Sequence, residues 1–282
     1  MPRPIPLQPR AIEGRPIPRA ASIAEVLAAA AERSAAGIPC VMATVVERAG
    51  SSPATPGQKL LLAGDGECAG TVGGGALEGL VLDALVAMLG GDAPAFAVRE
   101  IGLGPELGMC CGGRAKLLFE TVEGKTPCLI VGAGHVATAL APMLAKVGFA
   151  VTVCDAREEW AREGRIPGVA VVHGEHDDVA KDAPTGGAFL VMTHDHALDQ
   201  AAIEWALGRG FAFVGGVGSR AKAQRTRDRL EAKGFSEADR ARVRMPLGLS
   251  IGARLPDETA VAAAAELVEW RRNGKKTRIL GG

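Results

Sequence analysis

Charge of a single sign is what this 282-residue sequence most plainly lacks, since Lys+Arg and Asp+Glu each number 32. No basic field points to nucleic acid, and none points to anionic lipid. Aromatic residues make up only 4%, a scarcity that goes with the many alanines and is attributed to base composition. No apolar run is long enough to suggest a membrane span, and no secretory segment is recognisable. The six cysteines therefore read as reduced thiols in a cytoplasm rather than as a disulfide framework. What is present is ample apolar mass, 48% of residues, over a length that suits two ordinary domains.

The most informative stretch is Cys128–Asp155, CLIVGAGHVATALAPMLAKVGFAVTVCD. An apolar run (Leu129, Ile130, Val131) meets Gly132-Ala133-Gly134-His135-Val136-Ala137, and a helical pattern and a second apolar run follow. Strand, glycine turn, helix and strand in that order, closed by an acid, give G-x-G-x-x-A its structural context. Gly132 allows the tight turn, Gly134 lets backbone approach a phosphate, and Ala137 lets helix and strand pack closely. The helix N-terminus offers free N–H groups to an anion, and Asp155 stands where an acid holds a ribose hydroxyl. The same turn would serve a Rossmann-type domain with some other ligand, because fold does not fix function. His135 and Pro142 depart from the usual pattern, and a mid-helix proline costs about 3 kcal/mol or a kink.

Beyond that unit, strands recur with helix-length spacers at Val169–Val172, Ala188–Met192 and Phe211–Val214. The alternation predicts a parallel, doubly wound sheet. Thr193-His194-Asp195-His196 follows one of these strands, and Gly215-Gly216-Val217-Gly218-Ser219-Arg220 follows the next. Ligands of such sheets lie at the carboxyl ends of the strands, so His135, His194, His196 and Ser219 are expected in one cleft with the glycine turn. His-x-His alone is a weak metal signal, and a hydrogen-bonding loop pair is the commoner explanation. Residues 219–244 carry nine Lys/Arg against four acids, a solvated helix face by default. Arg220 and Lys222, in its first turn, are candidate phosphate contacts. A last helix is expected from a cap at Asp257 to Gly274.

The first half opens with residues 1–21, rich in proline and arginine, which read as a flexible arm. Ser22-Ile23-Ala24-Glu25 is a capping box for a helix closed by Gly37, and Cys40–Val46 reads as a buried strand. Gly50-Ser51-Ser52-Pro53 lies in a glycine, proline and hydroxyl loop, a solvated connector in the commoner case. A strand pair around Gly64-Asp65-Gly66 leads to Gly73-Gly74-Gly75 and a helix ending near Gly90; the glycines form an anion cradle or a plain tight turn. Gly108-Met109-Cys110-Cys111-Gly112-Gly113 is the sharpest feature. It lacks the second ligand pair of a zinc site, leaving a strained vicinal disulfide, an accessible thiol of lowered pKa, or two small buried residues. The linker-like Glu120–Pro127 separates a domain at 22–122 from one at 123–282.

Taken in order, the pieces GSSP (Gly50–Pro53), GTVGGGALE (Gly70–Glu78), GMCCGG (Gly108–Gly113), GAGHVA (Gly132–Ala137), THDHALD (Thr193–Asp199), GSRAK (Gly218–Lys222) and PLGLSIGA (Pro246–Ala253) resemble the XdhC/CoxI family, the xanthine dehydrogenase accessory proteins. The resemblance covers nearly the whole chain from residue 22. It implies an α/β protein whose C-terminal Rossmann-like doubly wound parallel sheet follows a smaller N-terminal α+β domain. It also implies a cytoplasmic, homodimeric chaperone without turnover of its own, with no nucleic-acid or membrane partner. Such a protein binds molybdenum cofactor, guards it during sulfuration by a cysteine desulfurase, and delivers it to apo xanthine dehydrogenase. Cys111, where the family's Cys-Gly-Gly falls, becomes the expected molybdenum-proximal ligand, with Cys110 second. The expected cofactor-binding set is then Cys110, Cys111, Gly112, Gly113, Gly132, Gly134, His135, Asp155, His194, His196, Gly218, Ser219 and Arg220, with Ser51, Ser52, Gly74 and Gly75 from the first half. Two other readings stand beside this one. An NAD(P)-dependent oxidoreductase would use the Gly132 turn, and a sensing module would use Cys110 and Cys111.

Overall fold

The computed structural model describes residues 15–104 and 112–280, with side chains through residue 273. The chain divides into two compact units, Met1–Lys125 and Thr126–Gly282.

In the first unit, α1 (Ile23–Ala35), β1 (Cys40–Ala49), β2 (Lys59–Ala63), β3 (Cys68–Gly70), α2 (Gly75–Leu89), β4 (Phe96–Leu103) and β5 (Gly113–Val122) follow in order. The strands form an antiparallel sheet in the order β3-β2-β1-β5-β4. Period-two alternation sorts the two faces. Cys40, Met42, Leu61 and Ala63 meet Val26, Ala29 and Ala30 of α1. Val41, Ala43, Val45, Leu60 and Leu62 share a core with Leu77, Val81, Leu85 and Phe119. The Ser22 capping box is present, with Ser22 N–H donating to Glu25 Oε2 at 2.7 Å. β1 runs three residues past the expected Val46 because a bulge between Val45 and Glu47 resets its pairing with β5.

Residues 15–21 are tied down, in contrast to the free arm expected of them. Arg15 clasps the buried Asp83 of α2 through Nε at 2.8 Å and Nη2 at 2.5 Å. Arg19 N–H donates to Cys68 O and its carbonyl accepts from Gly70 N–H, both at 3.0 Å. These anchors are an ion pair and backbone bonds, so the segment carries no apolar periodicity to betray them. Residues 1–14 lie outside the described residues.

The second unit contains β6 (Thr126–Val131), α3 (His135–Lys146), β7 (Phe149–Asp155), β8 (Ala170–His173), α4 (His176–Val179), β9 (Ala188–Val191), α5 (His196–Arg209), β10 (Phe213–Gly216), α6 (Arg220–Ala232), α7 (Glu237–Ala241), β11 (Val243–Arg244) and α8 (Pro256–Leu280). All six strands are parallel, in the order β11-β10-β9-β6-β7-β8. Reading outward from β6, the chain first builds β7 and β8 on one side and then β9, β10 and β11 on the other. This is the doubly wound Rossmann arrangement, with its switch point between β6 and β9. Leu140 and Leu144 of α3 and Ala260, Ala263 and Leu267 of α8 cover one face. Ile203 and Leu207 of α5 and Ala223 and Leu230 of α6 cover the other. α3 continues through Pro142 without a break. α8 begins at Pro256, and the cap is not Asp257. Glu258 Oε2 instead accepts from the N–H groups of Arg254 and Leu255, at 2.7 and 3.0 Å, with proline at the first helical position. Among the described residues no helix is long and apolar enough to cross a membrane.

Candidate functional site

The glycine turn after β6 is shaped by two different demands. Gly132 has φ +100°, and a Cβ there would meet Met192 O at 2.8 Å, so the turn itself requires glycine. Gly134 is the N-cap of α3 with ordinary φ (−73°), and a Cβ would meet nothing within 4 Å. No side chain among the described residues caps this helix. Its first N–H groups and the space beside Gly134 are therefore open to an anion.

Asp155, at the end of β7, is not a free acceptor for a ribose. Its carboxylate takes the Ala133 N–H at 2.9 Å, the Arg157 N–H at 3.0 Å, and a bidentate fork from Arg157 Nε and Nη2 at 2.9 and 2.8 Å. Four donors fill a carboxylate's capacity. Burial works against ionisation, but the Arg157 and Ala133 bonds outweigh it and hold the carboxyl below its usual range. The Arg157 and Arg165 guanidinium groups lie 4.6 and 4.5 Å from the centre of the Trp160 ring, whose edge meets His135. At the mouth of the turn Arg157 is thus paired with Asp155, and among the described residues Arg165 is the guanidinium without a carboxylate partner there. Arg157 is the residue that sequence reasoning missed; its signal was an arginine two positions after the acid that closes the second strand.

The small hollow at this turn, about 70 Å³, is lined by Gly132, Asp155, Arg157, His176, Thr193 and His194. It collects Gly132, Asp155 and His194 from the expected set, while His135 stands on the rim against Trp160. His196 goes elsewhere, into a separate basic hollow with Lys222, Arg225 and Arg229. The two histidines separate because Asp195, between them, caps α5 by accepting the Ala197 N–H at 2.6 Å. Among the described residues no group of three or more His, Cys, Asp or Glu is placed to hold a metal.

Lys222 is buried and paired, so it is a structural pin rather than a phosphate contact. Its Nζ donates to Asp199 Oδ2 and, at 3.1 Å, to Val217 O. Asp199 Oδ1 in turn accepts from Thr193 N–H at 3.0 Å and Thr193 Oγ1 at 2.7 Å, which fixes the loop bearing His194. Ser219 is the N-cap of α6, its hydroxyl accepting the Lys222 N–H at 3.2 Å. Gly218 is demanded by packing, since a Cβ would meet Lys222 Cδ at 2.6 Å. Arg220 lies on a different and larger hollow, of about 410 Å³, with the Pro246–Ala253 loop.

In the first unit, three glycine-rich stretches far apart in sequence meet at the Gly50–Ala54 loop. Ser51 bridges Gly112, and a Cβ on Gly113 would strike Ser51 O at 2.2 Å. A Cβ on Gly73 would meet Ala54 N and Pro53 C, each at 2.9 Å. Ser52 Oγ accepts the Ala54 N–H at 3.2 Å and stiffens the loop. Gly74, the N-cap of α2, and Gly75 face open space, and Glu78 closes the turn by accepting Thr71 Oγ1 at 2.5 Å. Cys110 and Cys111 lie outside the described residues. The four described thiols, Cys40, Cys68, Cys128 and Cys154, are free and buried. Burial raises all four, Cys68 to about 11 and Cys154 to about 12.

Two sequence families coincide with the two units. Residues 34–102 match the XdhC and CoxI family, and residues 128–267 match the XdhC Rossmann domain. The chain belongs to the XdhC/CoxI family. One relative, the uncharacterized protein YqeB of Escherichia coli, is 34% identical over 83% of this chain and 44% of its own length. Another, named as a probable subunit of xanthine dehydrogenase in Bacillus subtilis, is 27% identical over 55% of this chain and 46% of its own. The chain thus spans less than half the length of these curated relatives. A crystal structure described as a xanthine dehydrogenase from Bacillus halodurans is 20% identical, with TM-score 0.49, covering 90% of this chain and 96% of that one.

Proposed function

We propose that this member of the XdhC/CoxI family binds molybdenum cofactor as a chaperone, guards it while a cysteine desulfurase replaces its terminal oxo ligand with sulfur, and delivers it to apo xanthine dehydrogenase. It carries out no turnover of its own in this reading, and it acts in the cytoplasm as a homodimer. Family membership supports the association with xanthine dehydrogenase. The observation that carries the choice of ligand is the state of Asp155. A carboxylate already filled by Arg157 and Ala133 leaves no acceptor for a neutral ribose diol, whereas the uncapped α3 and the Arg165 guanidinium suit an anion.

The group fits the residues present. Molybdopterin offers a phosphate and a metal held by a dithiolene, and the metal supplies a site for ligand exchange. The N–H groups at Gly134–Ala137 would receive the phosphate, with the Arg165 guanidinium beside the turn. His135 and His194 border the same turn and can donate hydrogen bonds to oxo groups. Separately, and for the first unit alone, Cys111 is the proposed metal-proximal thiol, next in sequence to the Gly112–Gly113 turn that meets Ser51. Metal analysis and mass spectrometry of the small molecule released on denaturation test the reading. Cys111→Ala should lower bound molybdenum and Cys110→Ala should lower it less; full molybdenum in folded Cys111→Ala would refute the role of the thiol.

A second reading keeps one specific support. An arginine beside the end of the second strand is where NADP-binding domains hold the 2′-phosphate. An NADP-dependent oxidoreductase would release that nucleotide on denaturation and turn it over with a small carbonyl substrate.

A further inference from the structure

We infer that the hollow between the Val217–Arg220 turn and the Pro246–Ala253 loop is a second ligand-binding site, taking a flat heteroaromatic ring that carries an anionic group. The small hollow at the glycine turn, about 70 Å³, has room for little more than an anion. The Pro246–Ala253 hollow is about 410 Å³, in the range of small-molecule pockets. It lies where β10 and β11 end, on the carboxyl edge that doubly wound sheets use for ligands.

Its wall is built and held rather than slack. Leu247 N–H donates to Gly216 O at 2.9 Å, Gly248 N–H to Glu266 Oε2 at 2.6 Å, and Leu249 N–H to Ala262 O at 3.1 Å. Arg227 Nη2 holds Met245 O at 3.0 Å, just before the loop. Leu249, at the end of the pinned stretch, and Ile251, beyond it, are 41% and 56% exposed. The exposed N–H groups of Ser250, Gly252 and Ala253 and the exposed Arg220 guanidinium have no protein acceptor among the described residues and are available to a ligand. Each unfilled feature asks for part of one molecule. Aliphatic side chains can cover a ring, backbone N–H groups of the loop can meet nitrogen and oxygen atoms at its edge, and Arg220 can take the anion. A single exposed leucine would mean nothing. The combination in a pre-formed hollow is what assigns a ligand. That the ring is a pterin rests on the function proposed above; the site does not.

The test uses the full-length, ¹⁵N-labelled protein titrated with pterin-6-carboxylate and, separately, with uncharged pterin. Amide shifts should concentrate at Gly218–Arg220 and Gly248–Ala253 and saturate. Arg220→Ala should weaken the carboxylate about tenfold and leave the uncharged ring unchanged, while Ile251→Asp should weaken both. Leu249→Ser is the substitute if Ile251→Asp lowers the melting temperature. Shifts confined to Gly132–His135 and Arg157, or none that saturate, overturn the site. Saturable binding in the hollow by a protein that retains no molybdenum would leave the site standing and defeat the chaperone reading. Undiminished molybdenum retention by Arg220→Ala and Ile251→Asp, with no pterin shifts in the hollow, would do the reverse.

Discussion

Gly134→Val isolates the anion site from the fold that presents it. The new Cβ meets nothing within 4 Å and the backbone φ of −73° suits any residue, so no clash or strain accompanies it. Valine is a poorer N-cap than glycine by up to about 1 kcal/mol. Its stiffer unfolded chain offsets that by about 0.4–1 kcal/mol. The melting temperature should therefore move by no more than about 2–4 °C in a chain of this size. Binding should respond quite differently. The two γ-methyls fill the space a phosphate needs to reach the α3 amides, and each charge-assisted hydrogen bond lost is worth about 1.5–3 kcal/mol. One such bond is a tenfold loss or more, and two would remove measurable binding. Calorimetric titration with purified molybdenum cofactor, and separately with NADP(H), reads both effects against a thermal melt. Wild-type affinity for molybdenum cofactor in a folded Gly134→Val protein would refute the phosphate position. Tight NADP(H) binding lost in the same variant would make the turn a dinucleotide site.

Lys222→Met should destabilise the protein by about 3–5 kcal/mol in urea unfolding, because it leaves the Asp199 carboxylate buried without its cation; adding Asp199→Asn, which removes the charge and keeps an acceptor for Thr193, should restore part of the loss. His176 packs edge-on against Trp205 and Phe189, and burial lowers its pKa from 6.5 against the opposing pull of Asp177 and Glu175. Its stabilising effect is therefore complete above about 6.5 and declines as pH falls below that value, since the unfolded imidazole takes its proton first. Thermal melts should show the decline, and His176→Phe should flatten it; an equal pH slope in both proteins would rule the histidine out. Native-state alkylation near neutral pH should spare Cys40, Cys68, Cys128 and Cys154, whose thiols burial raises, until denaturant is added.

The sheet of the second unit was legible because parallel strands buried on both faces read as apolar runs such as Leu129–Val131 and Ala188–Met192. β11 was not. Two residues, Val243 and Arg244, carry no period, and only pairing with β10 makes them a strand. The glycine turn and Asp155 were found by spacing, but what Asp155 does was hidden. Spacing gives an acid its place and says nothing of the arginine that occupies it. Grouping His135, His194, His196 and Ser219 in one cleft failed for the same reason. All four follow strand ends, yet the Asp195 cap turns His196 away and the Ser219 hydroxyl is taken up as the cap of α6.

Glycine shows why motif residues and ligand residues are different sets. Gly113, Gly132 and Gly218 sit so that an added Cβ would meet Ser51 O, Met192 O and Lys222 Cδ at 2.2, 2.8 and 2.6 Å, so the fold alone demands that they lack a side chain. Replacing any of them disturbs packing first, and lost binding there would say nothing about a ligand. Gly134 is under neither demand, having an ordinary φ and open space. A fold under no constraint at a helix start has better caps to choose from, serine, threonine or aspartate, each closing the end by its own side chain. This chain uses such caps at α1, α5, α6 and α7, through Ser22, Asp195, Ser219 and Ser236, and leaves α2 bare at Gly74 as it leaves α3. Leaving α3 without one keeps its amides unspent. The bare cap at Gly134, facing the arginine rim, is thus the feature of the turn that folding does not explain and that an anionic ligand does.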